Sequence, residues 1–248
     1  MVNQEVDIKT IGFNEVQTDH FKIKYLPIDS DYVGLVVDTA EHAYTSVSSI
    51  FGKEPNASTT IVIYPDNQSL AESFGWDKDE KAMGVYWAGS IRILSPRIWL
   101  PEEAAGEQFL KEGPLHHEFA HLMVDEITKG NYHRWWTEGI AQYVEKKITG
   151  FEFVDPFQNK RDGFYYPLET LQKKFDSLDQ QVAYWESLKA VEFIADQYGE
   201  ESIMEILDNL AEGSNLDNAF QKVLGINLKE FENGFYDELQ KHNKRCMC

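Results

Sequence analysis

Residues 117 to 121 read His-Glu-Phe-Ala-His, and no other feature restricts the possible folds of this chain as strongly. On an α-helix, residues four apart lie one turn above each other on the same face. If this segment is helical, His117 and His121 direct both imidazoles at one point, as a tetrahedral zinc requires. Glu118 follows His117 and so projects about 100° around the helix. It can reach a water on such a metal without being a ligand, beside a water whose pKa zinc lowers to about 7. Phe119, Ala120, Leu122 and Met123 supply an apolar surface that would bury the helix. His116 is an alternative donor, but His116, Glu118 and His121 have the wrong spacing. It is read as a structural residue or one that supports a ligand.

A third protein ligand is needed, with the fourth position left open. The segment RWWTEGIAQYVE, residues 134–145, offers two carboxylates, Glu138 and Glu145. With Thr137 as an N-cap, Glu138 falls in the first turn of the next helix. Helix-dipole stabilisation accounts for an acid there, but not for Gly139 beside it. A glycine inside a helix costs about 1 kcal/mol relative to alanine, so Gly139 predicts a close backbone approach, expected here against the HEFAH helix. Glu138 is preferred as the ligand; Glu145, about two turns on, is the rival.

The chain has 248 residues, enough for one large domain or two closely packed lobes. Its 42 acidic residues against 23 basic ones give a net charge of -19, which repels phosphate backbones, so nucleic acid is not an expected partner. Most of that charge is read as solvated helix faces. Cys246 and Cys248 both lie in the last three residues and cannot staple the fold. They are read as a mobile tail rather than a metal site or cross-link. No stretch reaches the ~20 apolar residues of a membrane span. The N-terminal MVNQEVDIKT has neither the basic nor the apolar region of a signal peptide. Compartment stays open: extracellular or cell-envelope if a signal segment has been removed, cytoplasmic otherwise. Asn56 and Asn67 begin glycosylation-type triplets, which are common by chance. The acidic run of Asp77, Asp79 and Glu80 is read as a solvated loop rather than a calcium site.

Along the chain, Phe21, Ile23 and Tyr25 alternate with polar residues and predict a strand. Apolar positions from Val33 to Ile50 recur at helical spacing, with Asp29 or Ser30 as the expected cap. Thr59–Tyr64 (TTIVIY) predicts a buried strand, residues 66–74 a short helix, and Val85–Trp87 with Ile91–Leu94 a hairpin around Ala88-Gly89-Ser90. After Pro114 the pattern is helical. Helices are expected at 114–127, 137–148, 167–175, 182–198, 201–211, 216–224 and 228–241, with Gly199, Gly213 and Gly225 as C-caps. The expected class is α+β: residues 1–127 as an N-terminal α/β lobe that includes the HEFAH helix, then residues 128–248 as a helical lobe.

HEFAH followed by Trp135, Glu138, Gly139, Ala141 and Tyr143, a W-x-x-E-G-x-A-x-Y pattern, resembles the gluzincins, most closely their small peptidase MA-like domains. Residues 183–203 (AYWESLKAVEFIADQYGEESI) resemble the helix pair that follows the metal site there, so the likeness covers roughly residues 60 to 240. It implies a zincin-like fold with the metal between a sheet lobe and a helical lobe, one zinc per chain on His117, His121 and Glu138, Glu118 as general base, and a peptide or protein substrate. It implies that Gly84 to Gly89 form an edge strand that pairs with an extended peptide. It puts Asp125 where an acid commonly orients a ligand, with a surface aspartate as the equal alternative. An oxyanion-stabilising Tyr or His is also expected: Tyr184 by position, with Tyr165 and Tyr166 as rivals. Within this class the expected activity is that of an endopeptidase. An aminopeptidase would need a carboxylate near the site for the substrate amine, often on the edge strand, where Gly84 to Gly89 has none. A zinc-binding interaction module without turnover is the reading from another class, and the intact Glu118 argues against it.

Overall fold

The computed structural model describes residues 12–77, 81–101, 105–157 and 165–245. The Cys246/Cys248 tail, the first ten residues, Asp79 and Glu80 lie outside the described residues. The chain is α+β and divides into two compact units: residues 1–123 with 147–151, and residues 124–146 with 152–248.

The first unit holds a five-stranded sheet in the order β1-β2-β3-β5-β4. Its strands are β1 (Asn14–Gln17), β2 (Phe21–Tyr25), β3 (Thr59–Tyr64), β4 (Gly84–Trp87) and β5 (Ser90–Leu94). β3 runs parallel to both neighbours, β2 and β5, and is almost wholly buried, which suits its β-branched run. β1 and β4 are antiparallel edges. The predicted hairpin joins β4 to β5, and Ala88 (φ 47°) and Gly89 (φ 81°) provide the two positive-φ positions that a two-residue connection needs.

Helices α1 (Val33–Phe51), α2 (Asn67–Glu72) and α3 (Ala105–Glu112) accompany the sheet. The expected cap of α1 is corrected. Pro27–Tyr32 form a 3-10 turn, α1 begins at Val33, and Tyr32 in the cap position makes no side-chain capping bond. Asp29 is instead fully buried, accepting hydrogen bonds from Ser95 Oγ at 2.7 Å and Arg97 Nε at 3.1 Å. A buried carboxylate needs such partners more than a helix end needs a cap. Asp66 does cap α2, accepting from the Ser69 N–H at 2.7 Å. Strand β1 and helix α3 have no counterpart in the sequence pattern.

Helix α4 (Leu115–Thr128) carries HEFAH, and Phe119 anchors it by ring contacts with Phe21 and Tyr44. The second unit is helical: most of α5 (Arg134–Thr149), then α6 (Leu168–Lys174), α7 (Gln180–Tyr198), α8 (Glu201–Ala211), α9 (Leu216–Leu224) and α10 (Leu228–Arg245). Trp136, Phe220 and Phe231 form its aromatic core in edge-to-face pairs. Among the described residues no helix is long and apolar enough to cross a membrane.

Candidate active site

Helix α4 buries Leu115, Phe119, Ala120, Leu122 and Met123 and leaves His117 and His121 partly exposed on the remaining face. Their Nε2 atoms stand 3.1 Å apart. Two nitrogens held at 2.0–2.1 Å by one tetrahedral ion would lie about 3.3 Å apart, so this pair is spaced for a shared metal. His116 is fully buried and points elsewhere, its Nε2 2.9 Å from His42 Nδ1. Burial, and then the neighbouring His42, push its pKa down to about 4. It is therefore a neutral core residue, in keeping with the structural role read from its spacing.

Glu118 is 6% exposed, and its Oε2 accepts a hydrogen bond from the Tyr86 backbone N–H at 2.6 Å. A carboxylate taken out of bulk water needs such a donor. The contact brings the predicted general base to the strand that the sequence singled out, and β4 is indeed an outer strand of the sheet.

Helix α5 starts at Arg134 rather than after Thr137, since the His133 carbonyl already accepts from the N–H groups of Trp136 and Thr137. Burial of Trp135 and Trp136, both 0% exposed, outweighs the capping preference of threonine. Glu138 therefore sits in the second turn, 5% exposed. Its Oε1 accepts from Arg134 Nε at 3.3 Å and from the Tyr184 hydroxyl at 3.1 Å. The reading of Gly139 is right about a close approach and wrong about the neighbour. A Cβ there would lie 2.4 Å from the Ser187 carbonyl oxygen and 2.8 Å from Val191 Cγ2, both on α7. Glycine allows α5 and α7 to touch at the level of Glu138 and Tyr184.

Among the described residues, His117, His121 and Glu138 form a set able to hold a metal, each offering one ligand atom within 4.8 Å of the others. Two imidazoles and one carboxylate are a zinc donor set that leaves a coordination position open. Glu145, also buried, is not part of the set.

Two aromatic residues join Glu138 that sequence reasoning had placed differently or missed. Tyr184, expected near a reacting oxyanion, contacts the candidate ligand itself. Burial first, and then the Glu138 charge, raise its pKa while Arg134 opposes the shift, so it stays a neutral donor. Tyr132 carried no signal in the sequence. It is hydrogen-bonded to Asp125, and burial, Asp125 and the charge of Glu138 all raise its pKa. Arg134, four residues before Glu138 on the same helix, was likewise not singled out in the sequence. Asp125 thus engages a tyrosine of its own unit. Of the rival tyrosines, Tyr165 is packed between the parallel rings of Trp185 and Tyr236. The backbone N–H of Tyr166 donates to Glu186 Oε2 at 3.0 Å.

That last contact belongs to a buried network the sequence did not suggest. Glu186 is 0% exposed, and the Tyr236 hydroxyl lies 2.5 Å from its Oε1 while also contacting the Tyr166 carbonyl. A single hydroxyl proton serves only one of those two acceptors, so a protonated Glu186 completes the network. Burial, which outweighs the lowering by Tyr236 and the Tyr166 backbone, raises its pKa from 4.5 to about 7. The folded-state pKa is above the unfolded one, so this stabilisation is full below about pH 4.5 and is lost as pH rises through about 7. Glutamine supplies the donor and the acceptor of the protonated acid at every pH. Glu186→Gln should therefore leave Tm nearly unchanged at about pH 5 and stabilise at about pH 9 by up to ~3 kcal/mol. Calorimetry at both pH values checks this, and an offset independent of pH would refute it.

A model of the family described as the Peptidase MA superfamily matches residues 39–241. No curated protein matches the sequence. Among solved structures, one similar chain is an M1 zinc metallopeptidase from Deinococcus radiodurans, at 15% identity and a TM-score of 0.46, covering 90% of this chain and 49% of that one. Another is a two-domain M1 zinc metallopeptidase mutant bound to L-arginine, at 13% identity and a TM-score of 0.42, again covering 90% and 49%. The chain thus spans about half the length of these structures.

Proposed function

The chain belongs to the Peptidase MA superfamily, and from that premise we propose that it hydrolyses peptide bonds with one zinc held by His117, His121 and Glu138, acting as an endopeptidase. The observation that carries this reading is the donor set: two imidazole nitrogens 3.1 Å apart on one helix face, with a carboxylate oxygen within 4.8 Å. When bound, zinc would supply a Lewis acid that polarises the scissile carbonyl and lowers the pKa of the attacking water.

The side chains do the rest. Glu118, off the ligand face by one residue, takes the proton of the attacking water and returns it to the leaving amine. Tyr184, kept neutral by burial, donates to the oxyanion that develops on the carbonyl. Its resting bond to Glu138 Oε1 keeps the hydroxyl beside the ligand set. The outer edge of β4, the last strand of the sheet among the described residues, takes the substrate backbone as an added strand. Endopeptidase is preferred because β4 (Gly84, Val85, Tyr86, Trp87) bears no carboxylate to hold a free amine.

The test is digestion of a proteome-derived peptide library by the zinc-loaded protein, with cleavage sites read by mass spectrometry. Internal cleavage is expected, and N-acetylated peptides should be cut as readily as free ones. Removal of N-terminal residues alone, abolished by acetylation, would make it an aminopeptidase. No cleavage at all would favour a zinc-binding interaction module.

A further inference from the structure

The side chain of Glu118 is held by a backbone group of the sheet, and a single glycine makes that contact possible. In the β4–β5 register Val85 faces Arg92 and Tyr86 faces Ile91, and the Leu94 N–H donates to the Met83 carbonyl just beyond the strand. Hydrogen-bonded and non-bonded pairs alternate along an antiparallel ladder. Residues 83, 85 and 87 therefore bond to β5, and the N–H of Tyr86 points outward from the sheet edge. There it meets Glu118 Oε2 at 2.6 Å. Two residues earlier, on the same side of the strand, Gly84 packs against the start of α4. A Cβ at Gly84 would lie 2.5 Å from Pro114 Cβ, 2.9 Å from Pro114 Cγ and 3.0 Å from Glu118 Cγ. The Pro114 ring is fixed to the backbone just before α4 and cannot swing away as the far end of a flexible side chain would, so a side chain at position 84 pushes β4 and the start of α4 apart.

We propose that Gly84 and the Tyr86 backbone N–H are positioning elements for Glu118: the edge strand that receives substrate also sets the carboxylate of the base. The proposal rests on the reading of Glu118 as the base. One outward N–H of the strand is already committed to the enzyme's own carboxylate. Binding of an extended peptide is therefore left to the other outward groups of β4, and the base lies alongside the peptide once it is seated.

Two measurements test this. The first needs no activity. The Tyr86 amide, on the outer side of an edge strand, should be protected from hydrogen exchange in the parent protein and exchange about 10–100-fold faster in Glu118→Ala, where its Glu118 acceptor is gone. The second is kinetic. Gly84→Ala should keep its zinc, whose proposed ligands lie outside β4, and lower kcat about 10–100-fold, because the base is displaced from its backbone donor. Pro114→Gly removes the two closest atoms. Gly84→Ala combined with Pro114→Gly should therefore recover most of the kcat of Pro114→Gly alone, which a general loss of fold would not do. If Gly84→Ala does not fold, the exchange measurement decides by itself. Unchanged Tyr86 exchange in Glu118→Ala, or full kcat in Gly84→Ala, overturns the positioning role while Glu118→Gln is impaired. Parent turnover in Glu118→Gln removes the base assignment, and the positioning role with it.

Discussion

Glu118→Gln should bind zinc as the parent does, fold as the parent does, and turn over peptides about 10²–10⁴-fold more slowly, the usual share of a positioned general base. Each part of that outcome has a separate physical origin. Zinc is retained because His117 and His121 share one face of α4 and Glu118 lies about 100° away from His117. Fold is retained because glutamine has the same length and keeps a carbonyl oxygen able to accept the Tyr86 N–H that now sits 2.6 Å from Oε2. Turnover falls because an amide cannot accept the proton of the attacking water at neutral pH. Trace activity survives through the polarisation the metal supplies. Steady-state kinetics with metal analysis on the same sample check the prediction. A zinc-loaded variant at the parent rate would end the proposed mechanism.

Loss of Glu138 should act on the metal itself. Glu138→Ala leaves two protein ligands where three are proposed. With ~10–16 kcal/mol of binding spread over a structural zinc's four ligands, one ligand corresponds to a loss on the order of 10²-fold or more in affinity. Glu145→Ala should titrate zinc nearly normally, because Glu145 lies outside the set of ligand atoms within 4.8 Å, and should change stability modestly. X-ray absorption of the parent should report nitrogen and oxygen ligands without sulfur. The opposite ranking of the two variants in a zinc titration would move the third ligand along α5. The Arg134 and Tyr184 contacts to Glu138 Oε1 add a graded expectation: they orient the carboxylate, so either residue changed to an apolar one should weaken zinc by less than loss of the ligand does.

What the sequence by itself determined follows from local periodicity. An i, i+4 histidine pair with an offset glutamate has one productive geometry, the face of a helix, and α4 forms over it within a residue of the expected start. The β-branched run of β3, the positive-φ hairpin turn after β4 and the glycines closing the later helices carry the same kind of short-range signal. Glu138 was singled out by other means, as the carboxylate of the W-x-x-E-G pattern that resembles the gluzincins; its role as a ligand is part of the proposal.

Only the tertiary structure decided the rest, because burial overrides local preference. Asp29 gave up a capping role for a buried pairing with Ser95 and Arg97. The two buried tryptophans, Trp135 and Trp136, drew the start of α5 three residues ahead of the threonine that would have capped it. Gly139 was right for a close contact, but nothing local could say that the partner was Ser187, 48 residues away on α7. The Tyr86 N–H against Glu118, the Tyr184 hydroxyl against Glu138 and the Tyr236–Glu186 pair each join residues 32 to 50 apart in the chain. Contacts at that separation leave no periodic trace in a sequence; they exist because strand register and helix packing bring the groups together, and polar atoms buried there must find partners.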